Sequence, residues 1–156
     1  MNLRILDRWM AIAMFSTAVG VSQSSAQGIG SVFQMMGGME TVSKLASGLL
    51  EASAKDPRLA GVMGKMNVGT VSPKLTDQMC SMLGGGCKAP LTDRQVTAGA
   101  SKLNATQTKA LGENFSSVLG NVTSNPLVKE GVTKAIGPKL GGIIGALIQR
   151  LLRDGR

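Results

Sequence analysis

The spacing of apolar residues constrains the fold of this chain more than any other feature. From residue 38 onward, leucine, isoleucine, valine and methionine recur every three or four positions, which places them on one face of a helix. One such stripe contains Leu111, Phe115 and Leu119, and the last contains Leu140 and Ile144. No stretch alternates apolar and polar residues for long enough to form a useful strand. We therefore predict an all-α domain.

Capping and helix-breaking residues divide this pattern into successive helices. Helices are predicted over residues 38–54, 72–83, 92–100, 106–122, 127–136 and 139–153, with a short turn over 58–65. Asp56 and Pro57 end the first helix, and the glycines at 84–86 end the second because glycine enters left-handed conformations without strain. The piece over 92–100 contains Gly99 and few large apolar residues, so we expect it to be held loosely.

The first 26 residues have the pattern of a targeting segment. Arg4 and Arg8 give a basic start, residues 9–21 are largely apolar, and small residues at 24–26 suit cleavage before Gln27. An uncleaved membrane anchor is the alternative, but a spanning helix needs about 20 apolar residues and this run is shorter. We predict an exported, periplasmic or secreted protein with a linker over 27–37 and one helical domain over 38–153.

The chain has two cysteines, Cys80 and Cys87, on either side of the three glycines. The predicted helix and its glycine turn bring the second cysteine back towards the first. In an oxidising compartment such a pair forms a disulfide more often than a metal site or a catalytic site. A redox-active pair is the alternative, but the Cys-x-x-Cys spacing is missing. We predict a structural disulfide between Cys80 and Cys87.

The chain carries 17 lysine and arginine residues against 9 aspartate and glutamate residues, a net charge of +8. This balance permits contact with acidic surfaces such as lipid headgroups or nucleic acid. The lysines are scattered, however, and the predicted domain offers few aromatic rings for base stacking. We predict no nucleic-acid partner. The last helix, 139–153, has an apolar face and a basic end, which suits either a membrane surface or docking on the core.

Catalytic and metal-binding residues are scarce. The sequence contains no histidine and no tyrosine, and no pair of carboxylates has a spacing that suggests a shared site. Methionines at 36 and 39, 63 and 66, and 79 and 82 could offer thioethers to Cu(I), but core packing explains them more simply. We therefore predict no enzymatic activity and no metal site.

Several short segments resemble the truncated haemoglobins, especially their exported group I-like members. The most specific is the Cys80 helix with its glycines and Cys87. The others are Met36-Gly-Gly-Met39, Asp56-Pro-Arg-Leu59, Leu103-Asn-Ala-Thr106 and Ala135-Ile-Gly-Pro-Lys139, and together they extend from about residue 36 to residue 148. The resemblance implies a compact, truncated-globin-like helical sandwich that holds haem and binds oxygen or nitric oxide on its iron.

The same resemblance assigns haem-pocket roles to residues that differ from the family pattern. The iron-ligating proximal histidine corresponds to Ala100, and a second common histidine corresponds to Lys74. The aromatic pair of the distal pocket corresponds to Leu49 and Leu50. A methyl group cannot donate electrons to iron, so the ordinary axial bond is missing.

Other side chains could replace the missing ligand. Haem iron accepts thioether sulfur, and a deprotonated lysine amine is chemically possible. Met79, Met82, Lys74 and Lys102 are the candidates, although core packing explains the methionines and solvation the lysines. We therefore expect a non-catalytic binding or structural module without classical haem. The alternatives are a haem protein with a lysine or methionine ligand that binds oxygen or nitric oxide, and association with a membrane surface.

Overall fold

The structure is a computed structural model that describes residues 32–155, and these residues form helices and turns without strands. After a helical segment over 32–36, the elements are α1 (Gly38–Lys55), a 3-10 turn (Pro57–Leu59), α2 (Ala60–Met63), α3 (Val68–Met82), α4 (Asp93–Ala100), α5 (Ala105–Val122), α6 (Pro126–Ile136), a 3-10 turn (Gly137–Lys139) and α7 (Leu140–Asp154). The all-α prediction is confirmed. The truncated-globin-like sandwich stays a prediction, and the targeting segment over 1–26 lies outside the described residues.

Side-chain caps set the starts of α4, α5 and α6 close to where the sequence predicts them. Thr92 and Gln95 form a capping box at the start of α4, and Asn104 and Gln107 form another at the start of α5. The start of α3 differs from the prediction. Asn67 caps this helix by accepting a hydrogen bond from the Thr70 N–H at 3.2 Å, so Pro73 lies inside the helix instead of at its first turn.

The helix α1 is the centre of the first half of the core, because it packs against both α3 and α5. Its inward residues are fully buried, and Gly48 allows close approach to the Val118 side chain on α5. The main buried residues of α1 are Val42, Leu45, Ala46, Leu49 and Leu50.

The helices α4 and α7 make the closest helix crossing. A Cβ atom built on Gly99 would overlap the carbonyl oxygen of Gly142, and one built on Gly145 would overlap the carbonyl oxygen of Gly99. Contact of this kind brings two helix backbones together without intervening side chains. The expectation that residues 92–100 would be loosely held is therefore wrong, because glycine replaces large apolar residues as the means of packing here.

Part of the predicted linker over 27–37 is helical in the structure. Met36 is buried, and the Phe33 ring occupies the space that a side chain at Gly85 would need. Val32 lies in the same way against Gly131 on α6. This segment packs against the domain because its apolar side chains occupy the space beside Gly85 and Gly131, which have no side chains.

Asp56, at the end of α1, is the centre of a polar network that ties this end to α5. Its carboxylate accepts two hydrogen bonds from the Arg58 guanidinium, at 2.8 and 3.0 Å, and one from Asn114 at 3.1 Å. Arg58 also donates to Glu113 at 2.6 Å. The Arg58 hydrogen bonds are the main cause that lowers the pKa of Asp56 from 3.8 to about 2, although burial opposes them.

Acid is therefore expected to weaken the fold through Asp56. A carboxyl whose pKa is lower in the folded chain stabilises the fold above about pH 4, and this contribution is lost as the pH falls towards 2. In urea denaturation, Asp56→Asn should be less stable than the unsubstituted protein at pH 7, and the difference should shrink between pH 4 and 2. Asp77→Asn, at an exposed carboxylate on α3, is the control. A difference that does not vary with pH would contradict this role.

The continuous helical segment Pro126–Asp154 is long and apolar enough, by length and composition alone, to span a membrane, and 44% of its most apolar window is buried. Within it, α7 buries Leu140, Ile143, Ile144 and Leu147 in the domain. Leu152 is 47% exposed near the C-terminal end. Most of the apolar face of 139–153 is therefore used for docking on the core.

Candidate functional site

The two leucines at the distal-pocket positions lie in the filled core. Leu49 is 0% exposed and Leu50 is 1% exposed, and both belong to the single hydrophobic cluster of the domain. Met79 on α3 is also 0% exposed in this cluster. These side chains contact other apolar side chains and are not exposed to a ligand-sized space.

The remaining positions of the predicted haem pocket lie elsewhere. Ala100 is exposed at the end of α4, and Lys102 is exposed in the turn that follows. Lys74 is half-buried on α3, and Met82 packs partly buried against the core. Ala100 therefore differs from Leu49, Leu50 and Met79 in facing the outside of the domain.

The arrangement does not fit a haem. Four clefts among the described residues lie between elements, and none of these four is lined by Leu49, Leu50, Met79, Met82 or Lys74. Ala100 lines two of them with residues of α4, α5, α7 and the turn before α7. The two charged residues among these, Asp93 and Lys139, form an ion pair with each other at 3.2 Å. Iron would have neither an axial donor at Ala100 nor an enclosing pocket at Leu49 and Leu50.

The methionine pairs are explained by packing. Met36, Met63, Met66 and Met79 are each at most 9% exposed, whereas Met39 is 42% exposed. The Met39 sulfur lies 3.4 Å from the Cys87 sulfur. Within residues 32–155, no group of three or more cysteine, aspartate or glutamate side chains is placed to hold a metal ion.

The predicted disulfide between Cys80 and Cys87 is confirmed, with Cα atoms 5.7 Å apart. The end of α3 has a Schellman geometry, because the Gly85 N–H donates to the Cys80 carbonyl at 2.9 Å while Gly84 has a positive φ of 78°. A side chain at Gly85 would overlap the Cys80 sulfur. The glycines therefore provide both the turn and the space for the bridge.

Reducing this disulfide is expected to lower the free energy of unfolding by about 2 to 3 kcal/mol, because the bridge restricts the unfolded chain. Urea denaturation with and without dithiothreitol measures the change. A Cys80→Ala, Cys87→Ala double variant is the control and should not respond to the reductant. An unfolding midpoint of the original protein that reductant leaves unchanged would refute this contribution.

Gln78 is a buried polar residue whose role the sequence pattern does not indicate. It is 5% exposed, and its side-chain oxygen accepts a hydrogen bond from the Leu91 N–H at 3.0 Å. This bond ties the segment after the disulfide to α3. It also fixes Leu91, which is 4% exposed, at the start of the surface between α4 and α7.

An open groove of about 640 Å³ lies between α1 and α3. The charged residues that line it are all acidic: Glu40, Glu51 and Asp77. Glu40 is already paired with Lys44 at 2.8 Å, and the Ser47 and Ser72 hydroxyls hydrogen bond to each other at 2.9 Å across the groove. The hydroxyl pair therefore links α1 to α3 across the groove. The rim of the groove is acidic.

The second cleft, about 320 Å³, lies between α4 and α7 and has the opposite charge. Its lining combines two arginines and two glutamines with three apolar side chains: Arg150, Arg153, Gln95, Gln149, Leu91, Ala98 and Ala146. Hydrogen-bond donors from two helices thus converge beside an apolar floor. An anionic group is the ligand type that this arrangement can hold.

No protein-family model, no curated protein and no solved structure matches the chain. The structure itself defines the class of the described residues, which is an all-α domain with one disulfide.

Proposed function

We propose that the protein is an exported, non-catalytic binding module, related in its helical arrangement to the truncated haemoglobins, that works without classical haem ligation. The observation that carries this proposal is the position of Ala100, where the resemblance expects the iron ligand. The residue is an exposed methyl-bearing side chain at the end of α4. Its methyl group cannot coordinate iron, and the side chain lies at the surface of the domain.

The positions of the charged and polar side chains, in clefts between the helices, support a binding role. The hydrophobic core is filled by apolar side chains, whereas the clefts between helices combine charged and apolar side chains at the surface. A surface of this kind suits recognition of a ligand or partner. It contains no histidine and no nucleophile paired with a base, so the proposal includes no reaction step.

Titration of the purified full chain with hemin tests the absence of haem ligation. We expect weak absorbance changes that do not saturate at one hemin per chain, because a basic protein binds hemin only loosely at its surface. Lys109→Ala, at an exposed lysine on α5, controls for such surface binding. Saturation at one hemin per chain with a sharp Soret band, lost in Lys74→Ala, Lys102→Ala, Met79→Leu or Met82→Leu, would overturn the proposal and favour a replacement ligand.

A further inference from the structure

We propose that the cleft between α4 and α7 binds an amphiphilic oxyanion, a phosphate or carboxylate group carried on a short alkyl body. This inference rests on the proposed binding function and names the ligand class of the module. It depends on three features of the cleft: two guanidinium groups, two amide groups, and an apolar floor.

The guanidinium groups supply the positive charge. Arg150 donates one hydrogen bond to the Pro90 carbonyl at 2.8 Å, which holds its side chain against the wall and leaves its other N–H donors available. Arg153 is 72% exposed. Asp154 forms an ion pair with each arginine, at 3.8 Å from Arg153 and 4.0 Å from Arg150, and both distances are too long for hydrogen bonds. An incoming oxyanion therefore competes with one carboxylate, which makes only long contacts, for two arginines.

The glutamines add neutral donors, and a hydrogen bond fixes the direction of the Gln95 amide. The side-chain oxygen of Gln95 accepts a hydrogen bond from the Thr92 N–H at 2.9 Å within the capping box of α4. This contact orients the amide, so its NH₂ group is left to donate elsewhere. Gln149, one turn from Arg153 on α7, lines the same cleft with an exposed side chain. Arginine and amide donors together suit the several oxygens of a phosphate or carboxylate.

The floor of the cleft determines what the anion is attached to. Leu91 and Ala146 are buried, and Ala98 forms the exposed edge. None of these three side chains offers a polar group, so a bare inorganic ion would leave the exposed Ala98 methyl, and the small exposed parts of Leu91 and Ala146, in contact with water. An alkyl chain attached to the oxyanion covers this surface and adds hydrophobic free energy.

The close crossing of α4 and α7 makes the site preorganised. Gly99, Gly142 and Gly145 lock the two helix backbones together beside the cleft. The arginines and glutamines therefore belong to two helices whose separation is fixed before any ligand arrives. Preorganisation lowers the entropic cost of binding.

Isothermal titration calorimetry of the full chain with hexyl phosphate tests the site. We expect one ligand per chain, with binding at least about tenfold tighter than that of hexanol or of inorganic phosphate, since each lacks one half of the recognised chemistry. Binding should weaken at high salt. Equal binding of hexyl phosphate and inorganic phosphate, or no binding of hexyl phosphate, would overturn the inference.

Variants locate the binding in this cleft. Arg153→Gln should weaken hexyl phosphate binding by about tenfold, because it removes a charge-assisted contact. Ala98→Phe should abolish binding by filling the exposed edge without changing the charge. Arg94→Gln, at an exposed arginine of α4 that does not line the cleft, is the matched control and should bind normally. An equal loss in Arg94→Gln and Arg153→Gln would mean general charge attraction and contradict the site.

Two further experiments identify the source of the anion and test the proposed function separately from this inference. Co-sedimentation with phosphatidic acid vesicles that hexyl phosphate inhibits assigns the site to a lipid headgroup, whereas hexyl phosphate binding without co-sedimentation assigns it to a soluble ligand. Hemin added to the same samples reports separately on the proposed function. If hexyl phosphate does not bind and hemin does not bind at one per chain, only this inference is refuted. If hemin binds at one per chain, the proposed function is refuted.

Discussion

Replacing Gly145 with alanine is expected to lower the free energy of unfolding by at least about 3 kcal/mol. The added Cβ would overlap the backbone of Gly99 on α4, carbonyl oxygen included. Backbone atoms cannot move aside as a flexible side chain can. The two helices would have to separate, which exposes apolar surface along α7.

Gly141→Ala is the matched control for this substitution. Gly141 is also in α7, but a Cβ built there meets only the Thr108 and Leu103 side chains, at 3.6 to 3.8 Å, which is ordinary contact. Alanine has the higher helix propensity, so this variant should be neutral or more stable by up to about 1 kcal/mol. Urea denaturation of both variants measures the difference. Equal stability of the two variants would refute the close crossing of α4 and α7.

Replacing Leu49 with alanine is expected to cost about 3 kcal/mol of unfolding free energy, because a 0% exposed leucine leaves a cavity in a filled core. The second substitution, Leu49→Phe, distinguishes a filled core from an empty pocket. In a filled core the larger ring should cost about 1 to 3 kcal/mol through overpacking.

Thermal or urea unfolding measures both Leu49 variants. Leu127→Ala is the control, because Leu127 is 67% exposed and its truncation should change the stability by less than about 0.5 kcal/mol. A Leu49→Phe variant as stable as the original protein would indicate that space for an aromatic ring exists at this position, as the haem-pocket pattern requires. The structure predicts a clear loss instead.

The order of the helices could be predicted from sequence because short-range signals determine it. The Thr92 cap and the Asn125-Pro126 break act within one turn of the chain, and the structure has helix boundaries close to the predicted ones. The start of α3 was predicted wrongly, because Pro73 is common in a first turn and the Asn67 cap lies earlier. In the structure the Asn67 side chain caps the helix, which therefore begins at Val68.

Long-range contacts explain what the sequence could not indicate. Gly99 weakens a helix considered alone, yet it is the residue that lets α4 and α7 touch, and this depends on Gly142 and Gly145 more than forty positions later. The cleft beside this crossing has the same origin. Arg150 and Gln95 are separated by 55 positions, and no sequence motif indicates that they line the same cleft. The Cys80–Cys87 disulfide was predictable because both cysteines flank one glycine turn.

The proposed function requires a working protein that contains no porphyrin iron. The most direct measurement is the absorbance spectrum and the iron porphyrin content, per chain, of the protein isolated from its native host without added hemin. We predict a colourless preparation with far less than one porphyrin per chain. A red preparation with a Soret band and one iron porphyrin per chain would contradict the account.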